Sequence, residues 1–291
     1  MNQNLLNIFV ALYECGSMHK AAEYLYISQQ GISKSILSLE EEFDVKLFER
    51  SNAGVKPTLA GDILYQDALK FRDQYSSLCR KMKDAKSGKQ VLSLACAYGT
   101  MYRLYPVLKD FERHNPKCSV RWQELTDTEV EKKILQEQAD LAVNVSGLQR
   151  EYVKFVPLYS CKVCLLVYEG HPLYHAETIR FQDLQGERIV IEGEQFRIYS
   201  LFRTLCERAN VYPEIIAETA EIGFCQHMAE MQEGLAVTID FIAQERKLSG
   251  VRAIPFEEPE FFWQIGLEFL DGRKKSDEVE QLIRFIQKSF S

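Results

Sequence analysis

The 291-residue chain has no run of about 18 apolar residues, the length that a membrane-spanning helix needs. It also lacks a leader pattern before its first predicted helix, so we expect a cytoplasmic protein. Basic residues are not in excess: the net charge of −7 argues against a nonspecific coat on nucleic acid. Phosphate loops, nucleophile elbows and His–acid constellations are absent too, which predicts that the chain is not an enzyme.

The eight cysteines do not indicate a metal centre or disulfides. Thiols stay reduced in the cytoplasm that is predicted for this chain. Cys161 and Cys164 have the spacing of half a zinc site, but they lie in a predicted strand, and no second Cys or His pair accompanies them. We therefore predict no metal and no other cofactor. Redox sensing through Cys206 or Cys225 stays open, although no nearby pattern would lower a thiol pKa.

The first 50 residues contain a helix–turn–helix pattern. A helix predicted from Asn4 to Cys15 ends at Gly16, a residue that tolerates the left-handed backbone at helix ends. Ser17 and Ser28 stand where their hydroxyls can cap the next two helices. The third helix has one apolar side, which we expect to face the core. That side consists of Ile32, Ile36, Leu39 and Phe43, and the preceding turn is expected to be anchored in the core by Leu25 and Ile27.

The other side of the third helix carries the residue types that read DNA. Amide side chains bond adenine edges, hydroxyls bond bases or phosphates, and lysine reaches guanine or phosphate. Residues 1–58 nevertheless hold five Lys/Arg against seven Asp/Glu, so tight binding would need two or more copies of the chain. The candidate DNA-contacting residues are Ser28, Gln29, Gln30, Ser33, Lys34 and Arg50.

A long helix is predicted from Leu59 to about Lys86, where proline is absent and Gly61 is the only glycine. Apolar residues recur along it at alternating spacings of four and three, a heptad pattern over about three repeats. We expect this helix to pair two chains, and a surface helix that packs on its own domain is the alternative. The predicted seam consists of Leu64, Ala68, Phe71, Tyr75, Leu78 and Met82.

This N-terminal pattern resembles that of the LysR-type transcriptional regulators. The family usually has proline in place of Gln30 and threonine in place of His19, so we expect a different DNA sequence preference here. The resemblance implies a winged helix-turn-helix at 1–58, a linker and dimerisation helix at 59–88, tetramers, and RNA polymerase as a further candidate partner. The matching residues are Phe9, Gly16, Ser17, Ala21, Ala22, Leu25, Ile27, Ser28, Gln29, Ser33, Ile36, Leu39, Glu40, Leu47, Phe48, Arg50, Thr58 and Gly61.

From residue 89 to 291 predicted strands alternate with helices, which indicates an α/β fold with a largely parallel sheet. This part resembles the effector-binding domain of the same family, a two-lobed fold similar to type 2 periplasmic binding proteins. The resemblance implies one lobe at about 89–160 and 263–291 and a second at about 161–262. The matching segments are 104–106, 115–116, 139–142, 170–173 and 233–237.

Ligands of open α/β sheets bind beyond the carboxyl ends of the strands, so we expect a small-molecule effector there. Thr100, at a predicted helix start, is the leading contact, and in the family a carboxylate often binds at this place. Because acidic residues lie at the same cleft, a neutral polar or cationic effector is an alternative. A second alternative is that these acids only cap helices. The candidate effector residues are Tyr98, Gly99, Thr100, Met101, Thr126, Asp127, Glu192, Gly193, Glu194 and Glu221.

Together these patterns predict a ligand-responsive, sequence-specific bacterial transcription regulator. Its expected partners are double-stranded DNA, a small effector and further copies of itself. The alternative is a two-lobed binding protein or enzyme whose N-terminal domain only dimerises. Burial of Gln29, Gln30, Ser33 and Lys34 within the subunit would favour that alternative.

Overall fold

A computed structural model describes residues 3–51, 54–85, 88–145, 152–245, 249–272 and 274–290. The chain divides into two compact units, Met1–Ser87 and Gly88–Ser291. Their elements confirm the predicted class, a mixed α/β protein that begins with a winged helix-turn-helix. Within the described ranges, none of the helices has both the length and the hydropathy to cross a membrane.

The N-terminal unit is built from helices and a small two-stranded wing. The helices are α1 (Gln3–Cys15), α2 (Met18–Leu25), α3 (Gln29–Phe43) and α4 (Leu59–Ala85). Strands β1 (Phe48–Ser51) and β2 (Gly54–Pro57) pair antiparallel to form the wing.

Local signals set the starts of α2 and α3 as predicted. The Ser17 hydroxyl accepts a hydrogen bond from the Lys20 N–H at 3.5 Å, and the Ser28 hydroxyl accepts one from the Gly31 N–H at 3.1 Å. Gly16 ends α1 with φ at +61°, a backbone conformation that favours glycine.

Two expectations about the core are wrong. Phe43 is 42% exposed and Ile27 is 39% exposed, although both were expected to face inward. Along α3, Leu39 and Glu40 are the last buried residues, and Phe43 lies beyond them as the last residue of the helix. In the turn before α3, Leu25 packs against the core and Ile27 does not.

Glu40 joins the end of α3 to the start of β1. Its carboxylate accepts from the N–H groups of Leu47 at 2.9 Å and Phe48 at 3.4 Å, and from Lys46 Nζ at 2.7 Å. Burial acts to raise the pKa of Glu40, but these three hydrogen bonds outweigh it, and the pKa lies below its usual value. The folded unit therefore holds Glu40 in its charged form.

The first half of α4 packs on the same unit. A Cβ at Gly61 would lie 2.3 Å from the Leu47 carbonyl oxygen, so only glycine allows this close approach. The rings of Tyr13 and Tyr65 stack with centroids 3.8 Å apart. Ala68, which is 2% exposed, belongs to the core of the unit. These contacts fix the direction in which α4 leaves the helix-turn-helix.

The C-terminal unit contains a large mixed sheet flanked by helices. The strands are β3 (Gln90–Ala97), β4 (Cys118–Leu125), β5 (Leu141–Val145), β6 (Val153–Tyr168), β7 (Arg188–Glu192), β8 (Glu214–Thr219), β9 (Leu235–Ile239), β10 (Val251–Pro255) and β11 (Phe262–Leu270). The helices are α5 (Met101–His114), α6 (Asp127–Leu135), α7 (Arg197–Ala209), α8 (Ile222–Glu230), α9 (Asp240–Glu245) and α10 (Asp277–Phe290). In the sheet the strand order is β4-β3-β5-β11-β6-β9-β7-β8, and β10 pairs with β6.

Strand β6 belongs to both halves of this sheet. Residues 153–162 pair with β11 next to β5, β3 and β4, and these strands form lobe I. Residues 163–168 pair with β9 and β10, and with β7 and β8 they form lobe II. The sheet is mixed rather than largely parallel, because β6 and β11 run antiparallel to their neighbours where the chain passes between the lobes. The parallel strands of each lobe still end at one edge, where a ligand is expected.

We predict that Glu40→Gln destabilises the N-terminal unit by about 1–3 kcal/mol, because a neutral amide weakens three charge-assisted hydrogen bonds at a buried position. The folded pKa lies below the ordinary 4.5, so the stabilisation is present at neutral pH and is lost as the pH falls through the folded pKa. Urea unfolding at pH 7 and pH 3, followed by far-UV circular dichroism, measures the difference.

Tryptophan fluorescence in the same experiment reports only on the other unit, because Trp122 and Trp263 both lie there. Glu41→Gln, at an exposed neighbour of Glu40, is the matched control. Equal stability of wild type and Glu40→Gln at pH 7 would contradict the proposed role of the carboxylate.

Candidate DNA interface and effector site

The polar side of α3 is open to solvent. Gln29, Gln30 and Lys34 are exposed, Ser33 is half-buried, and Ser28 is exposed where it caps the helix. The subunit therefore does not cover this surface, as the alternative of a purely dimerising domain would require.

A surface groove of about 490 Å³ lies between α3, the start of α2 and the wing. Arg50 belongs to β1 of this wing, and its side chain lies outside the described atoms. The groove brings together residues of all three elements: Ser17, Met18, His19, Gln29, Gln30, Ser33, Gly54 and Val55.

The predicted seam on α4 has two parts. Ala68 is buried and Leu64 is half-buried, and both pack against the core of the N-terminal unit. Beyond them the seam continues as side chains that are 39% to 64% exposed in the single chain: Phe71, Tyr75, Leu78 and Met82. An uncovered apolar stripe on a helix is typical of an interaction surface.

In the effector domain, Thr100 is fully buried at the start of α5. Its hydroxyl donates to the Ala97 carbonyl at 2.7 Å, and its N–H donates to the same oxygen at 3.1 Å. The turn thus uses the hydroxyl and the N–H of Thr100, the residue that the sequence predicts as the leading effector contact. Met101 is buried as well, whereas Tyr98 is 38% exposed, with its ring 6.0 Å from that of Phe196 in lobe II.

Thr126 and Asp127 lie at the start of α6 in lobe I. Thr126 forms a capping box with Glu129, in which each side chain bonds the other residue's backbone N–H. Asp127 is buried, and its Oδ2 accepts from the Arg197 N–H at 2.9 Å. Because Arg197 begins α7 of lobe II, this bond joins the two lobes.

The Arg197 side chain continues into lobe I. It donates to the Val145 carbonyl, and its Nη2 lies 3.4 Å from Oε2 of Glu131. Burial raises the pKa of Asp127, and Arg197 opposes that shift through its N–H and its charge. Arg197 was not among the residues predicted from the sequence. Its signal was its position five residues after Glu192, because a cleft with several acids needs a cation.

Glu192 ends β7 and is 3% exposed. Burial and the nearby charge of Asp127 raise the pKa of Glu192 to about 8. Its Oε2 has no hydrogen-bond partner among the described residues. This acid of lobe II therefore lies close to Asp127 of lobe I, and one of its two oxygens has no donor among the described residues.

Two more buried side chains of lobe II have polar atoms without partners in the described structure: Gln226 on α8 and Thr238 on β9. The β7–β9 register pairs Val190 with Ala236, and its continuation by two residues brings Glu192 beside Thr238 on the same face. Helix α8 covers this face, with Ala229 and its neighbours packed on the sheet. Gln226 and Thr238 were not among the predicted site residues.

The remaining predicted effector residues lie around this edge. Gly193 is buried and donates its N–H to the Thr219 carbonyl at 3.1 Å. Gly99 adopts φ of +80°. Glu194 and Glu221 are exposed, and the Glu221 side chain makes no capping bond to α8, so the capping role left open for it is not seen.

The buried thiols are poor candidates for redox sensing. Burial raises the pKa of Cys206 to about 11 and that of Cys225 to about 12. The pKa values of Cys161 and Cys164 are likewise raised to about 12. Thiols at these positions stay protonated at neutral pH and are weak nucleophiles. The described residues contain no group of three or more His, Cys, Asp or Glu that could hold a metal ion.

Residues 3–62 match the bacterial regulatory helix-turn-helix proteins of the lysR family, and residues 85–291 match the LysR substrate-binding domain. The chain belongs to the LysR family. It is therefore a DNA-binding transcription regulator with an effector-binding domain, as the sequence predicts. Its expected partners, DNA, a small effector and further copies of the chain, are those of this family.

Several LysR-family proteins are similar along most of the chain. The regulator CysB of Burkholderia cenocepacia is 25% identical over 82% of this chain and 78% of its own length. The hydrogen peroxide-inducible genes activator of Dickeya chrysanthemi is 25% identical over 97% of this chain and 93% of its own. The crystal structure of CbnR is 19% identical and covers 100% of this chain and 100% of its own, with a TM-score of 0.73. The structure of full-length CbnR with its target DNA covers 99% of this chain and 100% of its own, with a TM-score of 0.74. These structures share the fold of this chain.

Proposed function

We propose that this LysR-family regulator works in the cytoplasm, reads a two-fold related DNA site through α3, and responds to an effector held between lobes I and II. The observation that most supports the DNA-reading role is the open groove in which Gln29 and Gln30 lie exposed beside the wing. CbnR, which has a similar fold, was determined with its target DNA bound. RNA polymerase is a further candidate partner at the promoter.

Assembly would use the second half of α4. The stripe from Phe71 to Met82 is apolar and uncovered, whereas the first half of α4 already packs on its own unit. A domain with more acids than bases gains the affinity that it lacks when a second copy binds the same DNA molecule. We therefore assign this stripe to a contact between chains, in a dimer or a larger homo-oligomer.

The acids between the lobes favour an effector that is cationic or rich in hydrogen-bond donors. Asp127 and Glu192 are buried near each other, and Arg197 already binds lobe I. A carboxylate ligand would be repelled by Glu192 once this acid ionises. The unmet hydrogen bond at Oε2 of Glu192 costs about 1–3 kcal/mol, and an amine, amidine or amide could make it.

We predict that Gln29→Ala loses about 1–3 kcal/mol at one base position and relaxes specificity there, because a bidentate amide–base contact is removed. Arg50→Ala should weaken binding to all sequences alike, as expected for a phosphate contact. Footprinting on the DNA upstream of the protein's own gene defines the site, and competition with single-base variants measures the preference. Ser38→Ala, exposed farther along α3, is the control. If Gln29→Ala keeps the wild-type preference at every position, α3 does not read bases through Gln29.

We predict that the double change Phe71→Lys and Leu78→Lys produces smaller species, because the interface would bury four lysines per dimer without partners. Light scattering coupled to size-exclusion chromatography measures the mass. Gln66→Lys adds a lysine at an exposed position of α4 outside the seam and should leave the mass unchanged. An unchanged mass in the double variant would show that this stripe is not the main interface.

We predict that Glu192→Gln changes how the stability of the effector domain depends on pH. The folded pKa of about 8 lies above the ordinary 4.5, so wild type loses stability as the pH rises from 4.5 through 8, and the variant does not. Thermal unfolding at pH 6 and pH 9, followed by tryptophan fluorescence, tests this. Glu214→Gln, exposed on β8, is the control. A pH dependence shared by wild type and Glu192→Gln would contradict the assignment.

The same assay tests the effector class. In a thermal-shift screen of amines, amidines, amides and carboxylates, stabilising compounds should come from the first three groups. Glu192→Gln should reduce the shift that a cationic compound gives. Stabilisation by carboxylates alone would overturn the proposed class while leaving the DNA-reading role intact.

A further inference from the structure

We propose that His19 is a positioning residue that fixes the orientation of the Gln29 amide and thereby selects adenine at the base position that Gln29 reads. The inference rests on the proposed role of α3 in reading DNA.

The geometry of three side chains carries the proposal. Nε2 of Gln29 lies 3.3 Å from Nδ1 of His19, and Nε2 of His19 lies 3.4 Å from Oε1 of Glu23, one turn further along α2. An amide nitrogen can only donate, so Nδ1 must accept, and the imidazole carries its proton on Nε2. The Glu23 carboxylate can only accept, which favours the same tautomer. Gln29 therefore donates to His19, and His19 in turn donates to Glu23.

The hydrogen bond to His19 determines which donor and acceptor atoms of the Gln29 amide face the DNA. The amide oxygen is turned away from His19, and one of the two N–H bonds of Nε2 remains unused by the contact. An oxygen acceptor beside an N–H donor matches the major-groove edge of adenine, which donates from N6 and accepts at N7. A threonine hydroxyl both donates and accepts, so it would not distinguish the two orientations of the amide.

The test is selection from a randomised duplex library with the purified full-length protein, followed by competition binding, both at about pH 8. Loss of preference in Gln29→Ala identifies the base position. There, wild type should favour adenine over guanine by about five- to tenfold at pH 8, and His19→Thr should reduce this ratio to about twofold or less.

His19→Asn supplies the matched variant. Its Oδ1 lies near the position of Nδ1 and can accept from Gln29. We therefore expect His19→Asn to keep the adenine preference of wild type. His175→Thr, at an exposed histidine of the C-terminal unit, should follow wild type.

The outcomes separate this inference from the proposed function. If Gln29→Ala changes no base preference, the DNA-reading role of Gln29 fails. If Gln29→Ala relaxes one position but His19→Thr keeps the wild-type ratio there, the positioning role of His19 alone is overturned. Equal weakening of all sequences by both His19 variants would show a structural role and would also overturn it.

Discussion

A buried carboxylate needs hydrogen-bond donors, and each unit of this chain has such a contact at its centre. In the N-terminal unit, Glu40 accepts from the backbone at the start of the wing. The wing is thereby held beside α3, and the groove that contains Gln29 exists because the two are held together. In the C-terminal unit, Asp127 of lobe I accepts from the first N–H of α7 in lobe II. The relative position of the lobes depends on this bond and on the contacts of the Arg197 side chain.

Glu192 shows what happens where such donors are missing. It is as buried as Asp127, yet one of its oxygens has no donor among the described residues, and its pKa rises to about 8. The two acids lie on opposite lobes, so their repulsion grows when both ionise. A ligand that brings donors to this edge would relieve the repulsion and would favour whichever lobe arrangement admits it. The chemistry of the effector and the conformational response are thus linked through the same pair of acids.

Local signals made the first 50 residues largely predictable. Ser17, Gly16 and Ser28 act on backbone groups within a few residues of themselves, so the sequence contains the whole interaction. Phe43 was misjudged because helical spacing does not show where a helix extends past the core, and Phe43 is the last residue of α3. The strand ends of the effector domain were predictable from alternation, but the bond between Asp127 and Arg197 joins positions 70 residues apart. Similarly, Thr100 occupies the expected place, and only the turn geometry shows that its donors are already used.

The two lobes share β6, which passes from one sheet half to the other between residues 162 and 163 without interruption. A loop hinge would let the lobes swing at little cost, whereas a continuous strand can adjust only by changing its twist along a hydrogen-bonded ladder. Rotation of one lobe against the other therefore strains the β6 backbone, and the strain increases with the angle of rotation. In this respect the effector domain resists rotation of its lobes more than a domain hinged on a flexible loop would.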